Sequence, residues 1–391
     1  MNDIRPLERA DLPAAAALFE EVVSSEHDAA GAGLVEFFAR TLFDHPWADP
    51  EVPSLAAFED GRLAGFMGSH VRRLRLDGRA ARLAVSGPLV VRPDARHPAL
   101  GAVLARRYLD GPQNITLTDG ASALMRTLWE RLGGQSAHLR CVEWILPLRP
   151  VSLAAASWRR RRRDLEPDRR RWRVPGALDR LSEAAMRSAG RLMTPLTVTL
   201  VTAGRDGAVR VPRVHAAPVT AEPLTAEAFV EHLPTLARGR RLVPAYDREF
   251  AEWLFAELAA VRGRGSLVAR LVRRGERVVG CYLYFLQRDG LSSVIAVLGA
   301  DETANASLLD ALIADARARG AAGLSGRVET DLLAPVAALG AFLVYRGQAL
   351  VHSSDPALLA LATSPQALLT RLEGEHWMTP QLLRRSLVRS A

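Results

Sequence analysis

Apolar and polar positions alternate most regularly along residues 54–93, SLAAFEDGRLAGFMGSHVRRLRLDGRAARLAVSGPLVVRP. Alternation with a period of two predicts strands, and Asp60-Gly61 and Asp77-Gly78 break the stretch at two points. Asp-Gly supplies the positive φ that tight hairpins need, so three antiparallel strands are expected. Before them, DIRPLERADLPAAAALFEEVV predicts a short strand and an amphipathic helix entered at Asp11-Leu12-Pro13, a cap residue followed by proline in the first turn. GLVEFFARTLF predicts a second helix, which DHPWADPEVP ends. After the strands come a helix (ALGAVLARRYL), a strand (NITLTDG), a helix closed by glycine (ASALMRTLWERLGG) and a final strand (AHLRCVEWILPLRP).

The same order of elements returns further along. LTAEAFVEHLPTLA and DREFAEWLFAELAAV carry helical spacing, and GSLVARLVRRGERVVGCYLYFLQRDGLSSVIAVLGA reads as three strands with short turns. NASLLDALIADARARG, AAGLSGRVE and TDLLAPVAALGAFL then predict helix, strand and helix. EDGRLAGF at 59–66 and RGERVVGC at 274–281 mark equivalent points, each a turn followed by two apolar residues and glycine. The pattern predicts two copies of one unit: residues 1–150, and 216–355 as a degenerate second copy. An arginine-rich linker with an amphipathic segment at 177–193 fills 151–215, and 356–391 form a tail. The expected fold class is α/β of the α+β kind, each copy a mostly antiparallel mixed sheet flanked by helices.

Composition narrows the setting. A chain of 391 residues, 49% hydrophobic and 24% charged, suits two globular domains. Apolar runs are short and interrupted by charge, so no membrane span is expected. The first residues mix acids with bases around no apolar core, which argues against a signal peptide and makes the cytoplasm the default. Cys141 and Cys281 stand apart in apolar runs, giving no disulfide or metal framework. All 51 basic residues are arginine, a composition that a GC-biased genome produces without selection. Much of the +8 charge is local, in SWRRRRRDLEPDRRRWRVP at 157–175. Such a run can serve as a linker, dock an acidic partner or phosphate-bearing ligand, or hold nucleic acid. No nucleic-acid-binding motif accompanies it, which argues against the last.

The stretch VVRPDARHPALGAVLARRYL (90–109) joins a strand to a helix through small residues. A loop of small residues at a helix N-terminus exposes N–H groups that bind anions. Here the chain resembles the GNAT superfamily of acyl-CoA-dependent N-acyltransferases, whose fourth strand ends in a hydrophobic-x-Pro stretch and leads to an Arg/Gln-x-x-Gly-x-Gly/Ala loop. Val91-Arg92-Pro93 and Arg96-His97-Pro98-Ala99-Leu100-Gly101 match that spacing, with Ala99 in place of the middle glycine. The resemblance implies that Arg96, His97, Pro98, Ala99, Leu100, Gly101 and Ala102 hold the pyrophosphate of acyl-CoA as co-substrate, with no metal. It covers residues 3–148 well and 222–352 in architecture only. In the second copy the matching loop is ADETANAS, where Asp301 and Glu302 would repel a phosphate.

The resemblance also implies that a splayed fourth strand polarises the thioester. Gly87-Pro88 suits a bulge, because proline cannot donate to a ladder, leaving Leu89, Val90 or Val91 to offer the N–H. Where family members often carry a tyrosine acid for the thiolate, this chain has Trp129. Ser122 and Asp119 lie near that helix's start and could reach a thiol, or simply cap the helix. Glu143, in the apolar strand CVEWIL, is a candidate base whose pKa burial would raise, or an edge-strand glutamate facing water. His70 and Glu329 are further candidates. The tail segment RLEGEHWMTP, with Glu373, Glu375, His376 and Trp377, is placed to fold back over a cleft or to pack as an ordinary terminus. The expected function is transfer of an acyl group, acetyl to fatty acyl, from acyl-CoA to an amine of a small molecule or peptide. The alternatives are a catalytically silent acyl-CoA-binding or interaction protein, and a Fem-like aminoacyl-tRNA-dependent transferase.

Overall fold

The computed structural model describes residues 3–23, 31–156, 218–261 and 263–378. The chain divides into two compact units, which do not follow the linear division at 150 and 216. One unit takes the chain up to Val142, then Thr225–Gly263 and the chain from Tyr345 onward. The other takes the described parts of Glu143–Leu224 and Arg264–Val344. The arginine run at 157–175 lies outside the described residues.

In the first unit β1 (Asp3–Pro6), β2 (Leu55–Glu59), β3 (Arg62–Leu76) and β4 (Arg79–Val91) pair antiparallel in sequence order. Asp60 and Gly61 have φ of 50° and 76°, and Asp77 and Gly78 have 49° and 82°, so both turns use the left-handed conformation that Asp-Gly permits. Helix α1 (Leu12–Val23) and helix α2 (Gly31–Phe38) pack Phe19 and Phe38 onto Phe66 and Val90 of this sheet. β5 (Ile115–Thr118) lies parallel to β4, and helix α3 (Leu100–Leu109) makes the crossover between them. Its Leu104 reaches the sheet because Gly65 has no side chain: a Cβ there would lie 3.3 Å from Leu104 and 3.0 Å from the Val90 carbonyl. Helix α4 (Ala123–Arg131) follows, then the two-residue β6 (Gln135–Ser136).

The second unit repeats the plan. β10 (Ser266–Arg274), β11 (Arg277–Leu286) and β12 (Leu291–Gly299) are antiparallel neighbours, with β8 (Thr220–Pro223) on the β10 edge. The helix Glu302–Ala318 crosses to β13 (Gly323–Arg327), parallel to β12. Gly280 plays the part of Gly65, since a Cβ there would meet the Leu298 carbonyl at 2.3 Å and Leu308 at 2.5 Å. The helix expected to run to residue 343 stops at Ala338, and β14 (Phe342–Tyr345) begins.

The ends of the two sheets depart from the linear reading. β7 (Val142–Pro147) leaves the first six strands and enters the second sheet between β13 and β14. β15 (Leu350–His352) enters the first sheet between β5 and β6. Each sheet is thus completed by a strand from the opposite half of the sequence. The helices Ala226–Leu236 and Arg248–Ala260 likewise belong to the first unit, where Tyr246 and Phe250 stack on Trp47. The short β9 (Leu242–Pro244) between them pairs with β3.

Candidate functional site

A cavity of about 250 Å³ opens where β4 departs from regular pairing. Met67 faces Leu89 but Ser69 faces Ser86, so the two residues Gly87-Pro88 stand opposite the single Gly68. Both glycines are required. Gly87 has φ of 153°, and a Cβ on Gly68 would lie 2.4 Å from the Gly87 carbonyl oxygen. The cavity's apolar walls come from Phe19, Phe37 and Phe38 of the first two helices, Met67 and Leu89 of the sheet, and Met125 and Met378. The second sheet carries a matching irregularity, with Leu283 paired to Ala296 and Tyr284 to Val294, but Ile295 fills the place of Gly87 there.

Among the described residues one carboxylate reaches this cavity. After β15 and the helix Pro356–Thr363, the tail returns to the C-terminal end of β5 and places Glu375 in the cavity wall. Glu375 accepts hydrogen bonds from the Thr118 hydroxyl, from the Asp119 N–H at 3.0 Å and from the Gly120 N–H at 3.0 Å. Asp119 returns the contact by accepting from the His376 N–H at 2.8 Å. Burial and the nearby Asp119 push the Glu375 pKa well above its usual range; the Thr118 hydroxyl and the Asp119 N–H pull the other way without cancelling them. The carboxyl therefore holds a proton more tightly than it would in water.

The turn that presents Glu375 is anchored from below. Glu373, 1% exposed, accepts from the Tyr246 hydroxyl and from the N–H and hydroxyl of Thr370. Arg72, also 1% exposed, donates to the Val71 carbonyl at 3.0 Å and to Met378 sulfur at 3.4 Å, with its guanidinium 5.2 Å from the Phe250 ring centre. Burial lowers the Arg72 pKa, while Tyr246, Glu373 and Glu375 oppose the shift. Trp377 donates to the Leu372 carbonyl at 3.2 Å and closes the turn.

His70 braces the bulge. Its Nδ1 lies 3.0 Å from the Thr41 carbonyl and its Nε2 3.0 Å from the Gly87 carbonyl. Burial and the charge of Arg72 push its pKa down to about 4, so the ring is neutral near pH 7 and donates to one of the two carbonyls. Both nitrogens are committed to backbone, which makes His70 a positioning residue for the bulge.

The loop before α3 also has its geometry on show. Arg96, His97, Pro98 and Ala99 are exposed, whereas Leu100 is buried beside Leu104 and fixes the loop to the sheet. Ala99 has φ of −100°, so the alanine replacing glycine fits without strain. The Glu59 carboxylate accepts the N–H groups of Arg96 at 3.1 Å and His97 at 3.4 Å, which hold its pKa below the usual range. The Arg96 guanidinium pairs with Asp60 at 2.6 Å. A Cβ on Gly101 would touch only Val91, at an ordinary 3.5 Å, so packing does not demand glycine there. Gly101 and Ala102 lie in the first helical turn, where N–H groups lack intrahelical acceptors. In the second unit the corresponding N-terminus is sealed by Asp301, which accepts from the Ala304 N–H at 2.7 Å.

Several expected site residues fall elsewhere. Leu89, Val90 and Ser122 line the cavity, but Ser122 is spent as the cap of α4, accepting from the Met125 N–H at 3.2 Å. Val91 pairs with Gly65 beside the cavity. Asp119 holds the tail. Glu143, the candidate base, lies on β7 opposite Arg327 in the second unit's sheet. Trp129 is buried among Leu109, Ala121 and Leu350, a core position. Glu329 stands at the N-cap position of the helix Thr330–Ala338, and its carboxylate accepts from Arg327 at 2.9 Å. The aromatic wall of Phe37 and Phe38 was not anticipated as a site feature; its signal is the adjacent pair in GLVEFFARTLF, which over-supplies one helix face. Among the described residues no group of three or more potential ligands could hold a metal ion, and no helix is long and apolar enough to cross a membrane.

No protein-family model and no curated protein matches the chain. Among solved structures, a conserved protein from Enterococcus faecalis V583 superposes with a TM-score of 0.55 at 10% identity, over 90% of this chain and 72% of its own. A GCN5-related N-acetyltransferase from Anabaena variabilis gives 0.54 at 11% identity, over 91% and 73%. One from Kribbella flavida gives 0.53 at 16%, over 93% and 73%. At these identities the likeness is one of fold: the chain has the fold of the GCN5-related N-acetyltransferases, spanning both units.

Proposed function

We propose that this chain, built on the fold of the GCN5-related N-acetyltransferases, transfers an acyl group from acyl-CoA to an amine. The observation that carries the reading is the conjunction of a splayed β4 and a half-buried carboxyl in the cavity wall. The cavity beside Gly87-Pro88 exposes backbone on one wall and Glu375 on another. Acyl transfer from a thioester to an amine forms a C–N bond and breaks the C–S bond. The ammonium first gives one proton to the base and becomes the attacking amine; after the C–N bond forms, the sulfur leaves with the bonding pair as thiolate and takes up the second proton that the nitrogen sheds, giving the free thiol. Glu375 is the proton acceptor in this reading, because it is the carboxylate in the cavity wall and burial beside Asp119 raises its affinity for a proton. Leu89 and Val90 are the residues whose N–H groups would polarise the carbonyl.

The donor's phosphates belong at the loop Arg96–Ala102. Glu59 already shows that this backbone takes an anion's oxygens, and the absence of a packing need for glycine at 101 supports a ligand as the reason for it. Thermal-shift titration with CoA and acyl-CoAs of two to sixteen carbons tests the reading, with Gly101→Trp run in parallel. The expected result is stabilisation of the wild type that is lost in the variant. No shift with any thioester would overturn it.

A further inference from the structure

We infer that the cavity beside Glu375 receives the acceptor, and that this acceptor is a primary monoamine on a compact apolar body, such as an arylalkylamine or short alkylamine. The inference rests on the acyltransferase reading and narrows its acceptor.

Size sets the first limit. An apolar cavity of about 150 Å³ holds a benzene molecule, so a cavity of about 250 Å³ has room for one ring and a short chain. An oligosaccharide or a folded peptide segment exceeds it. Lining sets the second. Phe19, Phe37, Phe38 and Met67 offer only hydrocarbon, ring faces and a thioether, and the hydroxyls of Thr41, Thr118 and Ser122 beside them are bonded to the Phe37 carbonyl, Glu375 and the Met125 N–H, which suits an apolar body more than one rich in hydroxyls.

Charge sets the third. Glu375 is the one carboxylate among the described residues lining the cavity, and no arginine lines it. His70, the other titratable group there, has both ring nitrogens against backbone carbonyls and stays neutral. Arg72 acts on Glu375 from behind the wall, but it is 1% exposed and does not line the cavity, so inside the cavity one ammonium is matched by one carboxylate. An amino acid would place its own carboxylate in a cavity already holding Glu375, with no cation among the described lining residues to balance it. A diamine would bury a second ammonium where no second carboxylate waits. An acyl tail fits worse than an amine, because it would press hydrocarbon against the carboxyl that three donors hold in the wall.

The test is calorimetric titration of the whole chain, with and without saturating CoA, using 2-phenylethylamine, hexylamine, putrescine and L-phenylalanine. The first two are expected to bind at least about tenfold more tightly than the last two. Met125 is half-buried in the first turn of α4, where an acidic side chain is favourable. Met125→Glu adds a second carboxylate to the wall and is expected to raise putrescine affinity about tenfold while lowering that of hexylamine. Equal binding of all four ligands, or no change of preference in Met125→Glu, overturns the inference. If no amine binds while affinity for acyl-CoAs climbs with chain length, the cavity holds the acyl tail; the inference falls and the acyltransferase reading stands. If neither amines nor acyl-CoAs bind, the acyltransferase reading itself falls.

Discussion

Replacing Glu375 with glutamine keeps the shape of the cavity wall and removes its charge, and the structure makes activity and stability respond differently to it. A positioned general base contributes about 10²- to 10⁴-fold, which is about 3–5 kcal/mol of barrier, so kcat/KM for acyl transfer is expected to fall by that factor. Stability follows another rule. The folded carboxyl titrates well above its ordinary range, because burial and Asp119 penalise the charged form. A carboxyl whose pKa is raised on folding adds stability below its unfolded pKa and loses it as pH climbs toward the folded value. Glutamine does not titrate. The Tm of the variant minus that of the wild type should therefore grow as pH rises from the ordinary carboxylate range toward neutrality and beyond. A constant offset of about 1–3 kcal/mol accompanies this trend, because the new amide must place N–H against a donor at Asp119 or Gly120. Thiol release from acetyl-CoA with 2-phenylethylamine measures the first effect, and scanning calorimetry at three pH values measures the second. A variant with wild-type kcat/KM refutes the role of Glu375 as base. A Tm difference that is flat with pH refutes the raised pKa.

Two further outcomes are expected. Glu59→Gln removes the negative charge that occupies the Arg96 and His97 N–H groups, so CoA should bind more tightly, read as a larger thermal shift at equal ligand; weaker binding would show that Glu59 shapes the loop instead of competing for it. His70 has an ordinary value of 6.5 pushed down to about 4, and a base depressed on folding gives up its stability as pH falls between those values. Wild-type stability should drop by ~3 kcal/mol across that window, and His70→Gln, which does not titrate, should flatten the drop. An unchanged acid slope in the variant would mean that other groups carry it.

Local pattern made much of the fold legible. Asp60-Gly61 and Asp77-Gly78 adopt the left-handed turns their sequence demands, and the glycines of EDGRLAGF and RGERVVGC prove to be equivalent points, each admitting a leucine from its crossover helix. The irregularity at Gly87-Pro88 was legible for the same reason, since glycine and proline announce backbone that a ladder cannot use. What periodicity could not carry was partnership. CVEWIL reads correctly as a strand, yet nothing within it says that Glu143 will face Arg327, nearly two hundred residues away, in another sheet. Ser122 showed both of its possible roles in sequence, and the cap won because a helix N-terminus must be satisfied locally. Glu375 stood in a segment with no strong period at all. Its place is set by the hydrogen-bond partners of Glu373 and Arg72 beneath it, and these are tertiary.

The exchange of β7 and β15 has a consequence for how the protein lives and dies as a molecule. A strand drawn out of the interior of a sheet leaves two neighbours with open ladders, and here each sheet's inner strand is tethered to the other half of the chain. Melting of either sheet strips its counterpart, so one cooperative transition is favoured over two. Each donated strand must also wait for residues far away in sequence, a high contact order that slows folding. A gene encoding either half alone would specify a sheet with a gap in it.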